Sequence, residues 1–319
     1  MYWLYPVDCI IGAAEFIRND SVDLIITDPP YAIDGDHLHR HYHRNEKFVI
    51  DGYAEIQPEL YRRFSEAWIH QAERILRPGG SIYIISGYTN LNDIISALKT
   101  TSLKLLNHII WKYNFGVYTT KKFVTSHYHI LYYYKPGARP TYNTYARYGT
   151  TEKDNFGRSL NYRDREDVWI INREYKPGEI KNKNELPYEL LIKIMQYSSD
   201  QDDTIADFFL GGFSTAEVAI GLNRSIVGFE INPISFNHHI KRMEKLIPGF
   251  LLDKIRTGRG ARPARQRQRW TEEEIRRLRK RFFEIYRENG RKGCTIKILQ
   301  DEFNRGYFAI LNQINRFLT

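Results

Sequence analysis

The chain alternates between short continuous apolar runs and longer stretches in which apolar residues recur every three or four positions. The first run is Val22 to Ile26 in SVDLIITDPPY, and it is rich in β-branched residues. Such a run is typical of a parallel strand covered on both faces. The stretch ELYRRFSEAWIHQAERILRPGG then predicts an amphipathic helix that ends at Pro-Gly-Gly.

Strand and helix patterns continue to alternate along most of the chain. Strands are predicted at SIYIISGY, LLNHIIWKY, SHYHILYYYK, DTIADFF and SIVGFEIN. Helices are predicted at LNDIISALKTT, ELPYELLIKIMQYSS, STAEVAIGLN and a stretch that ends near Lys245. Residues from about 137 to 183 are polar and irregular and predict an insertion. This order predicts a doubly wound, mostly parallel, Rossmann-like α/β sheet within residues 1–250.

A separate helical unit is predicted at residues 270–319, after a basic linker at 251–269. Thr271 and Glu274 have capping-box spacing, and Ile275, Leu278, Phe282 and Ile285 fall on one helical face. Two shorter helical stretches follow, TIKILQDEF and YFAILNQINRFL. Three helices behind a basic leader suit a helix-turn-helix DNA-binding domain, and RWTEEE loosely resembles the start of Myb-like domains.

The positive charge of the chain is concentrated in its C-terminal part. Residues 255–319 hold 17 Lys and Arg against 7 Asp and Glu, whereas the rest of the chain holds 30 against 31. The run RTGRGARPARQRQR contains six arginines and no acidic residue. Two interpretations stay open, a solvated linker or a linker that contacts a polyanion such as nucleic acid.

The composition is that of a globular protein, with 42% hydrophobic and 27% charged residues. No apolar stretch reaches the length needed to cross a bilayer, and MYWLYPVDCIIGAAEF lacks the basic leader of a signal peptide. We therefore expect a cytoplasmic, nucleoid-associated protein of prokaryotic or phage type, with no membrane partner. Cys9 and Cys294 are far apart and predict neither a disulfide framework nor a zinc site.

The apolar run at Val22 to Ile26 stops abruptly at Asp28, Pro29, Pro30 and Tyr31. Two successive prolines cannot donate ladder hydrogen bonds, so the strand must end there. Backbone carbonyls then remain as acceptors beside an aromatic ring. Strands of this kind place ligand-binding residues at their carboxyl ends.

A glycine-rich turn, TIADFFLGGFSTAEVA, forms a second candidate site. Glycines let a ligand approach the backbone, and a helix that begins at Ser214 or Thr215 offers free amides. The next strand ends at Glu230, 23 residues beyond Asp207, where an acidic residue accepts the hydroxyls of a ribose in nucleotide-binding folds. Taken alone, this pattern indicates either a nucleotide site or ordinary strand-helix geometry.

Together the two motifs resemble those of the β-class amino-methyltransferases, which methylate adenine N6 or cytosine N4 in DNA with S-adenosyl-L-methionine. In that family DPPY comes first, the target-recognition region second and the cofactor motif last, as DPPY, residues 112–182 and FFLGGF do here. VDC, RILRPGGSIYI, NHIIWKY and NKNELPYELL are further matches. The resemblance covers residues 1 to about 245.

The resemblance implies a role for residues in each motif. Asp28 and the Pro29 carbonyl would accept the protons of the target amine, with Pro30 completing the motif and Tyr31 stacking on a flipped base. Asp8 would contact the cofactor adenine and Glu230 its ribose. The remaining cofactor-binding candidates are Cys9, Lys183, Asp207, Phe209, Gly211, Gly212, Ser214, Thr215 and Asn232. Phe213 departs from the family pattern, which has glycine at this position, and Lys183 and Pro187 match another family element only approximately.

Candidate DNA contacts fall in two regions. In the recognition region they are Lys112, Tyr118, Lys121 and Lys122, although packing of a sheet edge also explains this aromatic and basic stretch. In the tail they are Arg262, Arg265, Arg267 and Arg269, followed by Asn312, Gln313 and Arg316 on a final helix whose Leu311, Ile314 and Phe317 would pack inward. Dimerisation, or capping of the catalytic core, is the alternative role of the tail.

The resulting hypothesis is an adenine-N6 DNA methyltransferase that acts on duplex DNA. Asp at position 28 favours adenine, and cytosine N4 is the alternative. A DNA-binding regulator without activity, an RNA methyltransferase and a protein-glutamine methyltransferase are less consistent with the intact motifs and their order. A homodimer and a cognate restriction enzyme are further partners to test. No metal is expected, and His37, His39, His41 and His43 are attributed to a loop that closes over the base rather than to a metal site.

Overall fold

A mixed sheet of eight strands organises residues 1–258. The computed structural model describes residues 1–30, 56–114, 116, 119–173, 185–258, 270–289, 292–303, 305 and 307–318. In spatial order the strands are β1 (Tyr2–Tyr5), β8 (Ser225–Phe229), β7 (Thr204–Asp207), β2 (Val22–Thr27), β3 (Leu76–Ser86), β5 (His127–Tyr134), β4 (Lys104–Lys112) and β6 (Val168–Ile170).

The first five strands in this order run parallel, whereas β5 is antiparallel to both β3 and β4. The helices of this part are α1 (Cys9–Phe16), α2 (Pro58–Ile75), α3 (Leu91–Leu98), α4 (Leu160–Asp164), α5 (Tyr188–Ser198), α6 (Ser214–Gly221) and α7 (Pro233–Met243). They cover both faces of the sheet. The prediction of a doubly wound, mostly parallel α/β fold is confirmed.

The core has two layers, one on each face of the sheet. Leu24 and Ile26 of β2 are fully buried in the layer that includes α5 and α6, and Ile25 is fully buried in the layer that includes α1, α2 and α3. This two-sided burial explains why β2 reads as a continuous apolar run instead of an alternating one.

The predicted insertion is less separate from the sheet than its irregular sequence indicates. Within residues 112–182, β5 and β6 are strands of the main sheet. The segment before β6 is tied to α5 by part-buried polar contacts, since Asp164 accepts hydrogen bonds from Tyr197 Oη at 2.6 Å and from Lys193 Nζ at 3.4 Å. The sequence pattern also does not predict β1, α1 or the three-residue β6.

The C-terminal helices form their own small core. They are α8 (Glu272–Asn289), α9 (Lys292–Phe303) and α10 (Tyr307–Leu318). The predicted capping box is present, because the Glu274 amide donates to Thr271 Oγ1 at 3.1 Å and the Thr271 amide donates to Glu274 Oε2 at 3.0 Å. Leu278, Phe282 and Ile285 of α8 are buried in this core, as their spacing predicts.

In α10 the predicted inward face is confirmed, but the predicted outward face is partly wrong. Ile314 is buried, with Leu311 and Phe317 packed beside it. Gln313, expected to be exposed and to read bases, is buried, and its Oε1 accepts a hydrogen bond from Arg316 Nη1 at 3.3 Å. The side chain therefore lies at the helix interface, where it supports Arg316 and does not face a DNA groove.

After α7 the chain leaves the sheet domain from the end of the sheet where the parallel strands begin. Gly249 and Leu251 bond to the end of α6, and the Arg256 carbonyl accepts from Gln196 near the end of α5. The Gly258 amide donates to the Ala146 carbonyl at 3.2 Å. The basic run thus starts beside the inserted segment, opposite the edge at which Asp28 lies.

Candidate active site

Four parallel strands end around one cavity of about 190 Å³. The carboxyl ends of β1, β2, β7 and β8 meet at the same edge, which is where open α/β sheets bind ligands. The lining side chains combine apolar surfaces with carboxylates. They include Val7, Asp8, Cys9, Asp28, Pro30, Ile56, Phe64, Glu185, Asp207, Phe209, Gly211, Gly212, Ser214, Thr215, Phe229, Glu230 and Asn232.

Asp28 reaches this cavity because β2 ends directly before it. The strand is buried through Thr27, and the two prolines then carry the backbone away from the sheet. Asp28 and Pro30 line the cavity, while Pro29 between them is buried. Tyr31 lies outside the described residues.

Asp207, at the end of β7, is buried next to the same cavity. Its Oδ1 accepts hydrogen bonds from Thr27 Oγ1 and from the Phe209 amide, each at 3.0 Å. Burial raises the pKa of Asp207 to about 6, although hydrogen bonds from Thr215, Phe209 and Thr27 oppose the shift. The carboxyl therefore titrates near neutral pH.

Glu230 is held in place by the backbone on both of its oxygens. Oε2 accepts from the Gly211 amide at 2.9 Å, and Oε1 accepts from the Asn232 amide at 2.8 Å. Burial raises the pKa of Glu230, and the two amide bonds oppose this shift. Each carboxylate oxygen has a second lone pair, so the oriented group can still accept hydrogen bonds from a ligand.

The structure shows how Phe213 fits at a position where the family pattern has glycine. It precedes α6 with φ of 65°, in the left-handed region that glycine adopts without strain. Its ring is completely buried and packs against Phe236 and His239, with centroids 5.6 and 5.5 Å away. The turn keeps the glycine-like backbone, and the ring fills the core behind it.

Asp8, Cys9 and Asn232 combine a place in the cavity wall with a structural role. Asp8 Oδ1 accepts from the Ile10 and Ile11 amides at 2.9 and 3.1 Å and thereby caps α1. Asn232 Oδ1 caps α7 in the same way. Burial raises the pKa of the Cys9 thiol well above its usual range, so this cysteine is not a nucleophile at neutral pH.

The cavity has the chemistry that an S-adenosyl-L-methionine site needs. Its apolar walls, among them Phe64, Phe209 and Phe229, suit a purine ring, and the fixed Glu230 carboxylate suits the two hydroxyls of a ribose. The carboxyl groups of Asp28 and Asp207 suit a cationic sulfonium. Gly211 and Gly212 place backbone instead of side chains at this wall. The residues present therefore fit the expected cofactor.

Sequence reasoning missed a cluster at the edge of the sheet where Asp28 lies. Arg173, just after β6, lies across Tyr113 and Tyr128, with its guanidinium carbon 5.0 and 5.2 Å from the ring centroids. Its Nη2 donates to Tyr128 Oη at 2.7 Å. Burial raises the pKa of Tyr128 to about 12, Arg173 opposes this, and the charge of Asp28 adds to it. Only the strand order brings these distant residues together.

The structure describes only some of the residues that were predicted to contact DNA. Lys112, Lys121 and Lys122 are exposed around the end of the β4–β5 hairpin, at the same edge of the sheet as Asp28. Arg316 is exposed on α10. The other candidates lie outside the described residues: Tyr118, Lys183, Arg262, Arg265, Arg267, Arg269, the side chain of Asn312, and the stretch from His37 to His43.

In the part of the chain that the structure describes, no helix has both the length and the apolarity to span a membrane. Among the same residues, no three His, Cys, Asp or Glu side chains are grouped so that they could bind a metal ion.

Comparison with known proteins identifies the family. The model of the N6/N4 methyltransferases, described as DNA methylase, matches residues 22–240. The type II methyltransferase M.HpaI of Haemophilus parainfluenzae is 28% identical over 250 residues, covering 75% of this chain and 74% of that protein.

Solved structures share the fold at lower sequence identity. The M1.HpyAVI–SAM complex superposes with a TM-score of 0.54 and 20% identity, over 77% of this chain and 100% of that one. The cytosine-N4-specific PvuII DNA methyltransferase gives a TM-score of 0.58 and 13% identity, over 79% and 90%. The family match spans most of the chain together with its two motif-bearing strands, and the protein therefore belongs to the N6/N4 DNA methylase family.

Proposed function

We propose that this DNA methyltransferase transfers a methyl group to the N6 amine of an adenine that is flipped out of duplex DNA. The observation that carries the proposal is the shared cavity. Asp28 and Pro30 line it from the end of β2, and Gly211 and Glu230 line it from β7 and β8. Donor and acceptor groups can thus be held side by side without a covalent enzyme intermediate.

The methyl donor of the family is S-adenosyl-L-methionine, which supplies a methyl group already activated by the sulfonium. Glu230 would hold the ribose, and the apolar wall with Phe209 would contact the adenine. Asp8 and Asn232 line the same end of the cavity and orient the helices next to it. Because these residues follow β1, β7 and β8, the ends of those three strands would form the cofactor site.

Asp28 has the main chemical role in the proposal. The lone pair of an exocyclic amine is delocalised into the base ring, which makes the nitrogen a poor nucleophile. The Asp28 carboxylate and the Pro29 carbonyl accept the two amine hydrogens and localise the lone pair on nitrogen. Asp28 then receives the proton that nitrogen loses. Fixed acceptors of this kind stabilise developing charge without reorganisation.

Adenine is favoured over cytosine because position 28 is Asp, and the PvuII neighbour keeps cytosine N4 as the alternative. Purified protein is incubated with plasmid DNA and methyl-labelled cofactor, and the DNA is then digested to nucleosides. Label on N6-methyldeoxyadenosine supports the proposal. Label on N4-methyldeoxycytidine overturns the adenine assignment, and absence of cofactor binding in calorimetry, with DNA present, favours a regulator without activity.

Asp28 is tested with Asp28→Ala and the isosteric Asp28→Asn. Both variants are expected to lose methyl transfer and to keep DNA affinity, because each removes the anionic acceptor. A variant that loses its circular dichroism signal together with its activity would point to a purely structural role at the strand end.

Light scattering tests whether the protein is a homodimer, and co-purification tests whether it binds a cognate restriction enzyme. Cytoplasmic location stays a prediction.

A further inference from the structure

The β4–β5 hairpin continues past its two strands as a closed structure. The Tyr113 amide donates to the Ser126 carbonyl at 3.0 Å, one step beyond the paired strands. Further out, a Cβ on Gly116 would overlap Val124 Cγ1 and would come within 2.9 Å of the Thr125 carbonyl oxygen. The two arms therefore pack against each other, and the hairpin projects from the sheet.

Phe123, near the tip of this hairpin, is 99% exposed. It follows the exposed Lys121 and Lys122 and precedes the exposed Val124. Single exposed apolar residues are common, but a fully exposed aromatic ring beside two cations has surface available for both stacking and phosphate contact. Duplex DNA presents both kinds of partner.

The hairpin lies at the catalytic edge of the sheet. β4 runs in the same direction as β3, so its outer end lies where β2 delivers Asp28. Lys122 Nζ is 5.9 Å from the ring centroid of Tyr88, which follows β3, the neighbour of β2. The exposed ring and the catalytic carboxylate thus belong to the same DNA-facing edge.

We propose that Phe123 is the wedge that enters the duplex and occupies the space left by the flipped base, while Lys121 and Lys122 bind flanking phosphates. The inference rests on the proposed function, because a side chain can fill the place of a flipped base only where a base is extruded. Apolar side chains inserted between base steps unstack the duplex, and the vacated stack then gains an aromatic partner. The wedge lowers the cost of flipping and leaves cofactor binding unchanged.

The test compares Phe123→Ala with Ile247→Ala, a control that also removes an exposed apolar side chain. Ile247 is 73% exposed and lies outside the recognition region, two residues before Gly249, whose amide bonds to the end of α6. The target sequence is first read from plasmid DNA methylated by the wild-type protein. Two duplexes are then used, one fully paired and one with an abasic site opposite the target base. Flipping costs less in the second duplex because pairing is already lost.

On the paired duplex, Phe123→Ala is expected to lower kcat/KM by about tenfold or more, the scale of one lost base–aromatic stack. Most of this loss should disappear on the abasic duplex, Phe123→Trp should retain activity, and Ile247→Ala should match wild type on both. A 2-aminopurine at the target position should show weaker fluorescence enhancement with Phe123→Ala, because less of the base is extruded.

Three outcomes overturn the inference. An equal loss on both duplexes would show that Phe123 contributes only affinity. Wild-type activity in Phe123→Ala on the paired duplex would exclude the wedge while leaving the proposed methyltransferase intact. Absence of methylation by the wild-type protein itself would remove the proposed function and the wedge with it.

Discussion

Thr27 Oγ1 donates a hydrogen bond to Asp207 Oδ1 at 3.0 Å, and both groups are buried. Thr27 is the last residue of the strand that delivers Asp28, and Asp207 is the last residue of the strand that leads into the glycine turn. The bond therefore joins the catalytic motif to the cofactor motif across neighbouring strands, although the two residues are far apart in sequence.

Thr27→Val should lower the free energy of unfolding by about 1–2 kcal/mol, because it leaves a buried acceptor with one donor fewer at nearly constant side-chain volume. It should also weaken binding of S-adenosyl-L-methionine. Denaturant unfolding and isothermal titration measure the two effects. Thr27→Ser keeps the hydroxyl and should stay near wild type in affinity; a similar loss in both variants would contradict the role of the hydrogen bond.

Cofactor affinity should fall as the pH drops below about 6. Burial raises the pKa of Asp207 in the native state to about 6, above the ordinary value of an aspartate, so the native carboxyl gains a proton before the unfolded one does. Acidification through this range favours the native state at this residue but removes the charge that attracts a sulfonium. Calorimetry between pH 5 and pH 8 tests this, and Asp207→Asn should flatten the profile.

Phe213→Gly should destabilise the protein less than Phe213→Ala does. Both substitutions remove a fully buried ring, at a cost of about 3–5 kcal/mol for a change to alanine. Only glycine relieves the strain of a φ of 65°, which offsets about 1 kcal/mol or more. Chemical denaturation ranks the variants, and an alanine variant that is the more stable of the two would refute the strain argument.

His239→Phe should remove a loss of stability that wild type shows in acid. His239 is fully buried in α7, and burial lowers its pKa from the ordinary 6.5 of a histidine to about 4, with Arg242 and His238 adding to the shift. The unfolded state therefore takes up the proton first, and the histidine contribution is lost progressively between pH 6.5 and pH 4, up to about 3 kcal/mol.

Unfolding curves across that pH range for wild type and His239→Phe give the difference directly. His238→Gln is the matched control, because His238 is the exposed neighbour on the same helix. The difference between His239→Phe and wild type should grow as the pH falls. A constant difference would mean that His239 does not titrate differently in the two states.

Truncation after Gly258 should weaken DNA binding and flatten its dependence on salt, while cofactor binding stays intact. Counterion release from DNA scales with the number of phosphates neutralised, and the removed part carries most of the basic excess. The cut must follow Gly258, because Arg256 contacts Glu152 at 2.6 Å and Gly258 bonds to Ala146. An unchanged salt slope would exclude the tail as a DNA-binding element.

The sequence predicts strands that are buried on both faces and helices with one apolar stripe, because burial selects those patterns. β2 and its Asp28 end are such a case. The three-residue β6 escapes prediction because it pairs with only three residues of β4 and carries no pattern of its own. Gln313 was misjudged because a polar side chain in a helix interface looks the same in sequence as one on the surface.

In the site, too, sequence motifs indicate some residues, whereas only the tertiary fold reveals others. Motif spacing indicates Asp28, Asp207, Gly211 and Glu230, all of which the structure places at one cavity. It does not indicate Arg173 or the exposure of Phe123, since these depend on strand order and on how the hairpin closes. Spacing also cannot show that Asp8 caps a helix while it lines the cavity wall.

Within the basic linker, Gly258 is bonded to Ala146 at the far end of the sheet from Asp28, and this position limits how the protein can cover DNA. Residues 259–269 can span at most about 40 Å when extended. About 20 Å of that reach is needed to pass along the length of β2 to the edge of the sheet where Asp28 lies. About 20 Å then remains, or roughly six base pairs along a duplex. When the helical tail binds DNA, it therefore binds close to the methylated base. The region protected from nuclease is then asymmetric, and the linker allows it to extend only a few base pairs further on one side of that base.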